Sequence, residues 1–217
     1  MDSVGMERNQ AEIMLRLQDA INSKINNAWR DENNPWYRAV WTECAELMDH
    51  VGWKWWKSQE PDIHQMRLEL VDIWHFGLSE ILAKSQSFAD AADVVSRALG
   101  CIAAANDAQS KTEILLLVEE FAAETLKTKS FALSSFVELA KNVGLGTGEL
   151  YTSYVGKNVL NAFRQDNGYK SGSYIKIWAG KEDNVWLSEI VSRLPISSPD
   201  FASDLYAELE STYKSNC

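Results

Sequence analysis

Glu43 and Glu46 stand three residues apart, and so do Glu69 and Asp72. At that spacing two side chains share one face of a helix, so two such helices packed antiparallel would bring four carboxylates together. Hard oxygen donors of this kind suit magnesium or manganese. Spacing alone is not distinctive, since Glu46/Asp49 and Asp90/Asp93 show it too. The setting separates them. Trp41, Cys44, Ala45 and Leu47 surround the first pair and Leu68, Leu70, Val71, Ile73 and Trp74 the second, whereas Asp90 and Asp93 sit among alanines, as on a solvated face. Carboxylates in apolar surroundings repel one another unless a cation neutralises them. Cys44, roughly 100° round the helix from Glu43, reads as core. His75, three residues past Asp72, reads as a packed or supporting group rather than a ligand. His50 and His64 read as boundary residues.

Two basic islands offer a grip on phosphate. One is WKWWK over residues 53–57, with Lys54 and Lys57. The other is KNVLNAFRQDNGYK over residues 157–170, where Lys157, Asn161 and Arg164 recur on one helical face and Lys170 follows the turn. Taken alone, Lys157 and Arg164 are ordinary solvated residues. Asn161 and Gln165 beside them add the amides that reading the edge of a planar base requires. The chain contains no P-loop, no dinucleotide-binding glycine pattern and no nucleophile with an evident partnered base.

The elements that must position these groups are helices. Apolar residues recur at helical spacing over Glu7–Trp29, Trp36–Val51, Ile63–Lys84, Phe88–Asn106, Thr112–Thr128, Phe131–Val143, Tyr151–Asp166, Trp186–Leu194 and Phe201–Tyr213. Pro35 suits the start of the second helix, and Pro61 stops the turn that follows it. The short link between the second and third helices predicts an antiparallel pair. Only SYIKIW, within residues 173–178, has the β-branched character of a strand; its surroundings read as loop or helical turns. With 217 residues, 46% of them hydrophobic, the chain predicts one all-α domain over 1–217, with room for a rigid core and a mobile helical part.

Charge and cysteines narrow the function classes. A formal charge of −10 argues against a non-specific binder of nucleic acid or anionic membrane. Cys44, Cys101 and Cys217 form neither a metal-ligand spacing nor a disulfide framework, which suits a reducing compartment. The opening residues MDSVGMERNQ do not resemble a targeting leader, and a cytoplasmic protein is expected. Nine tryptophans and seven phenylalanines exceed what one core needs, and aromatics are enriched at interfaces. A two-fold homodimer is expected.

WTECAE at 41–46, WKWWK at 53–57, ELVDIWHF at 69–76 and KNVLNAFRQDNGYK at 157–170, together with LQDAIN at 17–22, resemble the dimeric all-α dUTP pyrophosphatases, relatives of the MazG-like nucleotide pyrophosphohydrolases. The resemblance implies a helical homodimer that hydrolyses dUTP, and dUDP, to dUMP. It implies two or more Mg2+ ions, replaceable by Mn2+, held by Glu43, Glu46, Glu69 and Asp72, with Glu46 or Glu43 as the base that orients the attacking water. It assigns phosphate to Lys157, Arg164, Lys170, Lys54 and Lys57. It assigns base and sugar to Gln18, Asn22, Asn161, Trp53, Trp56, Phe76 and Tyr169. Two alternatives stand beside it: a dCTP or broad-specificity MazG-like pyrophosphohydrolase, which would keep the carboxylates and change the base-reading residues, and a non-catalytic helical scaffold, which would show no dependence on divalent metal.

Overall fold

The computed structural model of the chain describes residues 3–102, 107–196, 198 and 200–216. Cys217 and the 103–106 end of the predicted fourth helix lie outside the described residues. Among those described, the elements run α1 (Ser3–Ile25), α2 (Trp36–Val51), α3 (Ile63–Lys84), α4 (Phe88–Ile102), α5 (Lys111–Thr128), α6 (Leu133–Asn142), α7 (Thr147–Asp166), β1 (Ile177–Trp178), β2 (Lys181–Glu182), α8 (Asp183–Val191) and α9 (Phe201–Asn216). The fold is all-α, and among the described residues no helix is long and apolar enough to cross a membrane. The chain forms two compact units, Met1–Tyr151 and Thr152–Cys217, the division falling inside α7.

Helices α2 and α3 begin and end where the apolar pattern predicts. Their stops are local: Gly52 takes the left-handed conformation at φ 85° and its N–H caps Met48 O, while the Asp62 side chain accepts from Gln65 N to start α3. Elsewhere short polar residues move the boundaries. α1 stops at Ile25, short of Trp29, because the Asn26 side chain accepts from Ala28 N and its carbonyl from Trp29 N, closing a turn instead of another helical step. α7 starts early, at Thr147, whose hydroxyl donates to Leu99 O at 2.7 Å. The strand-like stretch does make a two-residue ladder, β1 with β2, turned by Ala179 and Gly180 at φ 46° and 81°.

In the first unit, low numbers of α2 face high numbers of α3. The Trp36 and Phe76 rings are 6.5 Å apart, His50 Nε2 lies 3.4 Å from Glu69 Oε1, and Asp62 N donates to His50 O. The pair is therefore antiparallel. Val40, Cys44, Leu47 and Val51 on α2 and Leu70, Ile73 and Trp74 on α3 are buried. Behind them Trp74 stacks on Phe136 with centroids 5.1 Å apart, and Phe131 packs so close to Gly77 that a Cβ there would come within 2.5 Å of its ring. Glu80, also buried, accepts from Lys84 Nζ at 2.6 Å and Phe131 N at 3.0 Å, which ties the end of α3 to the turn before α6.

The second unit is built on aromatics. Phe163 meets Tyr174, Trp178, Tyr206 and Tyr213 edge-on at 5.4–6.2 Å. At its centre Arg164 donates through Nε and Nη2 to the two oxygens of Asp183, both at 2.8 Å, and Tyr174 OH donates to Asp183 at 2.9 Å. Asp183 is fully buried. Burial pushes its carboxyl up, but the hydrogen bonds from Arg164 and Tyr174 and the Arg164 charge outweigh this and hold it below the ordinary value of 3.8. A group with a depressed folded-state value stabilises the fold at neutral pH and loses that contribution as pH falls through it. Asp183→Ala should therefore cost about 3–5 kcal/mol at pH 7, since it strands a partly buried guanidinium. Urea unfolding at pH 7 and pH 3 checks this: the gap between wild type and variant should shrink at the lower pH.

Candidate active site

The antiparallel pair brings three carboxylates together. Glu43 on α2 and Glu69 and Asp72 on α3 each offer an oxygen, all within 4.8 Å of one another. Glu69 is buried, and the other two are half-buried. Three oxygen donors in this space fit a hard divalent cation, which commonly takes its remaining ligands from water and substrate phosphate. Glu46 is exposed and stands outside this set, one turn further along α2. His50 lies against the site through Glu69, at 3.4 Å. Reading it as a boundary residue missed this contact, which only the return of α3 past the end of α2 creates. Cys44 is core, as its helical position predicts; burial first, then the Glu43 charge, pushes its thiol up to about 12.

Further along the same pair, a cleft of about 360 Å³ opens between α1, α2 and α3. Gln18 and Asn22 from α1, Phe76 and Ser79 from α3, and Trp29 and Trp36 from the α1–α2 connection and the start of α2 line it. The two amides are buried and bonded to each other: Gln18 Nε2 donates to Asn22 Oδ1 at 3.1 Å. His75 Nδ1 lies 3.0 Å from Gln18 Oε1, so His75 supports the cleft amides. Trp29, Trp36 and Ser79 are additions to the expected site residues. The tryptophans flank the DENNP break and read as helix ends. Ser79 carries no signal of its own on an apolar helix.

The WKWWK segment forms a turn after α2. Trp53 Nε1 and Lys54 Nζ both engage Asp49, at 2.7 Å and 3.0 Å, and Trp56 packs edge-on against Trp53 at 5.2 Å. Trp53, Trp56 and Lys57 are exposed. Lys157, Asn161, Arg164, Tyr169 and Lys170 belong to the second unit. There Tyr169 and Lys170 are exposed, and Asn161 Oδ1 accepts from Arg164 Nη1 at 3.3 Å. Arg164 is committed largely to Asp183, a partner hidden from the sequence argument because Asp183 opens a helix predicted to begin three residues later.

Comparison with curated proteins finds no significant match. The sequence model of the family described as dUTPase matches residues 10–169. That span contains all four acidic residues, the whole cleft and the basic helix face up to Tyr169, and it is well over half of the chain. With its all-α fold and its clustered carboxylates, the chain belongs to the dUTPase family and is an enzyme that hydrolyses dUTP.

Proposed function

We propose that the enzyme cleaves dUTP, and also dUDP, to dUMP with Mg2+ held by Glu43, Glu69, Asp72 and Glu46. The observation that carries this reading is that α3 bears both ends of one site: Glu69 and Asp72 among the carboxylates, and Phe76 and Ser79 in the amide-lined cleft. Two or more ions are proposed, with Mn2+ as a substitute. Bound cations would neutralise charge on the phosphate chain and lower the pKa of a coordinated water. Glu46, exposed and one turn from Glu43, is proposed to orient the attacking water and take its proton, with Glu43 as the alternative base.

Gln18 and Asn22 are proposed to read the base. Uracil and cytosine differ at N3 and at the group on C4, so an amide fixed for one leaves a donor or acceptor unpaired with the other, a penalty of about 1–3 kcal/mol. Phe76, with Tyr169, is proposed to crowd the 2′ side of the sugar, and Trp53 or Trp56 to cover the base. Asn161 is proposed as a further contact to base or sugar, and Lys157, Arg164, Lys170, Lys54 and Lys57 as phosphate ligands. Their charge and their place in the quoted motifs support this. The assembly proposed is a cytoplasmic homodimer, each chain acting as one domain over 1–217, without a nucleic-acid or membrane partner.

Assaying dUTP, dUDP and dCTP with and without Mg2+ tests the reading. Metal-dependent turnover of dUTP and dUDP well above dCTP is expected; equal turnover of dCTP would favour the broad-specificity alternative. Replacing Glu46 or Asp72 by alanine should lower kcat about 10²-fold or more. Asp72→Ala should also raise the melting temperature of the metal-free protein, because it relieves like-charge repulsion. Wild-type turnover by Glu46→Ala at saturating Mg2+ would remove Glu46 from the site. For the assembly, sedimentation equilibrium should give twice 24.5 kDa at micromolar concentration. Unfolding followed by circular dichroism and by tryptophan fluorescence should give coincident transitions; separate ones would divide the domain.

A further inference from the structure

The hydrogen bonds behind the cleft run in one direction, and Ser79 sets that direction. Its side chain is fully buried on α3. Its hydroxyl donates to His75 O at 3.0 Å, which commits its single hydrogen to the backbone. The Ser79 oxygen can then only accept. It does so from both cleft amides, Asn22 Nδ2 at 2.9 Å and Gln18 Nε2 at 3.0 Å. Gln18 Nε2 also donates to Asn22 Oδ1, which turns Gln18 Oε1 toward His75 Nδ1 at 3.0 Å.

Turning the Asn22 amide over would set its Nδ2 against Gln18 Nε2, donor against donor, and its Oδ1 against a serine oxygen with no hydrogen to offer. Turning both amides over would bring two carbonyl oxygens to Ser79, whose one hydrogen could serve one of them only by leaving His75 O. Each alternative leaves a buried polar contact unpaired, and such contacts are costly. In the observed arrangement each of these contacts pairs one donor with one acceptor. These contacts use one Asn22 N–H and one Oδ1 lone pair, and Asn22 lines the cleft.

We propose that Ser79 determines pyrimidine specificity without touching the substrate, by locking the Asn22 and Gln18 amides in a single orientation. The inference rests on the proposal that these amides read the base. A fixed amide presents its donor to a carbonyl such as O4 of uracil and its acceptor to N3–H; cytosine offers an amino group and a bare N3 in those places. An amide free to turn over serves either base. Ser79 is thus a positioning residue, and its removal should relax discrimination rather than abolish binding.

The test is the ratio of kcat/KM for dUTP over dCTP in wild type, Ser79→Ala, Ser79→Cys and Asn22→Ala, with circular dichroism to establish folding. Ser79→Ala removes the shared acceptor, and the ratio should fall about tenfold, mainly through improved use of dCTP. Ser79→Cys keeps nearly the same volume with a weak acceptor, so it should fall between Ser79→Ala and wild type and serves where Ser79→Ala does not fold. Kd values for dUMP and dCMP, read from tryptophan fluorescence without metal, should converge in the same variants. An unchanged ratio in a folded Ser79 variant, or equal losses for both nucleotides, would overturn the proposal. If Asn22→Ala also leaves the ratio unchanged, the base-reading assignment has failed; if Asn22→Ala collapses it and Ser79→Ala does not, only the role of Ser79 has failed.

Discussion

Like-charge repulsion between Glu43, Glu69 and Asp72 is the constraint against which the first unit is built. Their oxygens lie within 4.8 Å of one another, and at an effective dielectric near 20 each ionised pair repels by roughly 3–4 kcal/mol. The α2–α3 contact opposes this with buried apolar residues, Val40, Leu47 and Val51 on one side and Leu70, Ile73 and Trp74 on the other. Burying each of these contributes about 1.5–3 kcal/mol, so the hairpin holds although its carboxylates would push it apart. The stack of Trp74 on Phe136, and the close approach of Phe131 to Gly77, press α3 from behind and keep it in register.

Much of this was legible in the sequence because it depends on periodicity. The apolar stripes of α2 and α3 gave both helices to the residue, and the spacing of Glu43, Glu69 and Asp72 led to their convergence. The fourth carboxylate, Glu46, shares that spacing yet stands apart and exposed. Spacing fixes the face of a helix but not how far a side chain reaches toward the neighbouring helix. Gln18, Asn22 and Phe76 were traced through a resemblance of motifs, and the structure sets them round one cleft.

What remained hidden was pairing between distant residues with no period of their own. Ser79 looks like an interruption in an apolar helix until the amides of α1 arrive over it. Asp183 looks like part of an acidic turn until Arg164, nineteen residues earlier, closes on it. In both cases one short polar residue, wholly buried, engages a longer side chain that the motif resemblance had singled out. Arg164 shows the consequence most plainly: the motif resemblance assigns it to phosphate, and in the structure its Nε and one Nη2 donor engage the Asp183 carboxylate.

The run of α3 from Asp72 to Ser79 also acts as a gauge of length. A helix rises 1.5 Å per residue, so these two positions are about 10 Å apart along a rod that neither stretches nor bends easily. A nucleotide with its ring in the cleft engages the carboxylates only if its phosphate tail covers that span. With base and phosphates placed as proposed, shortening the tail by hydrolysis would break the connection to one end and leave the other. Release of product would then follow from the same measure that admits the substrate.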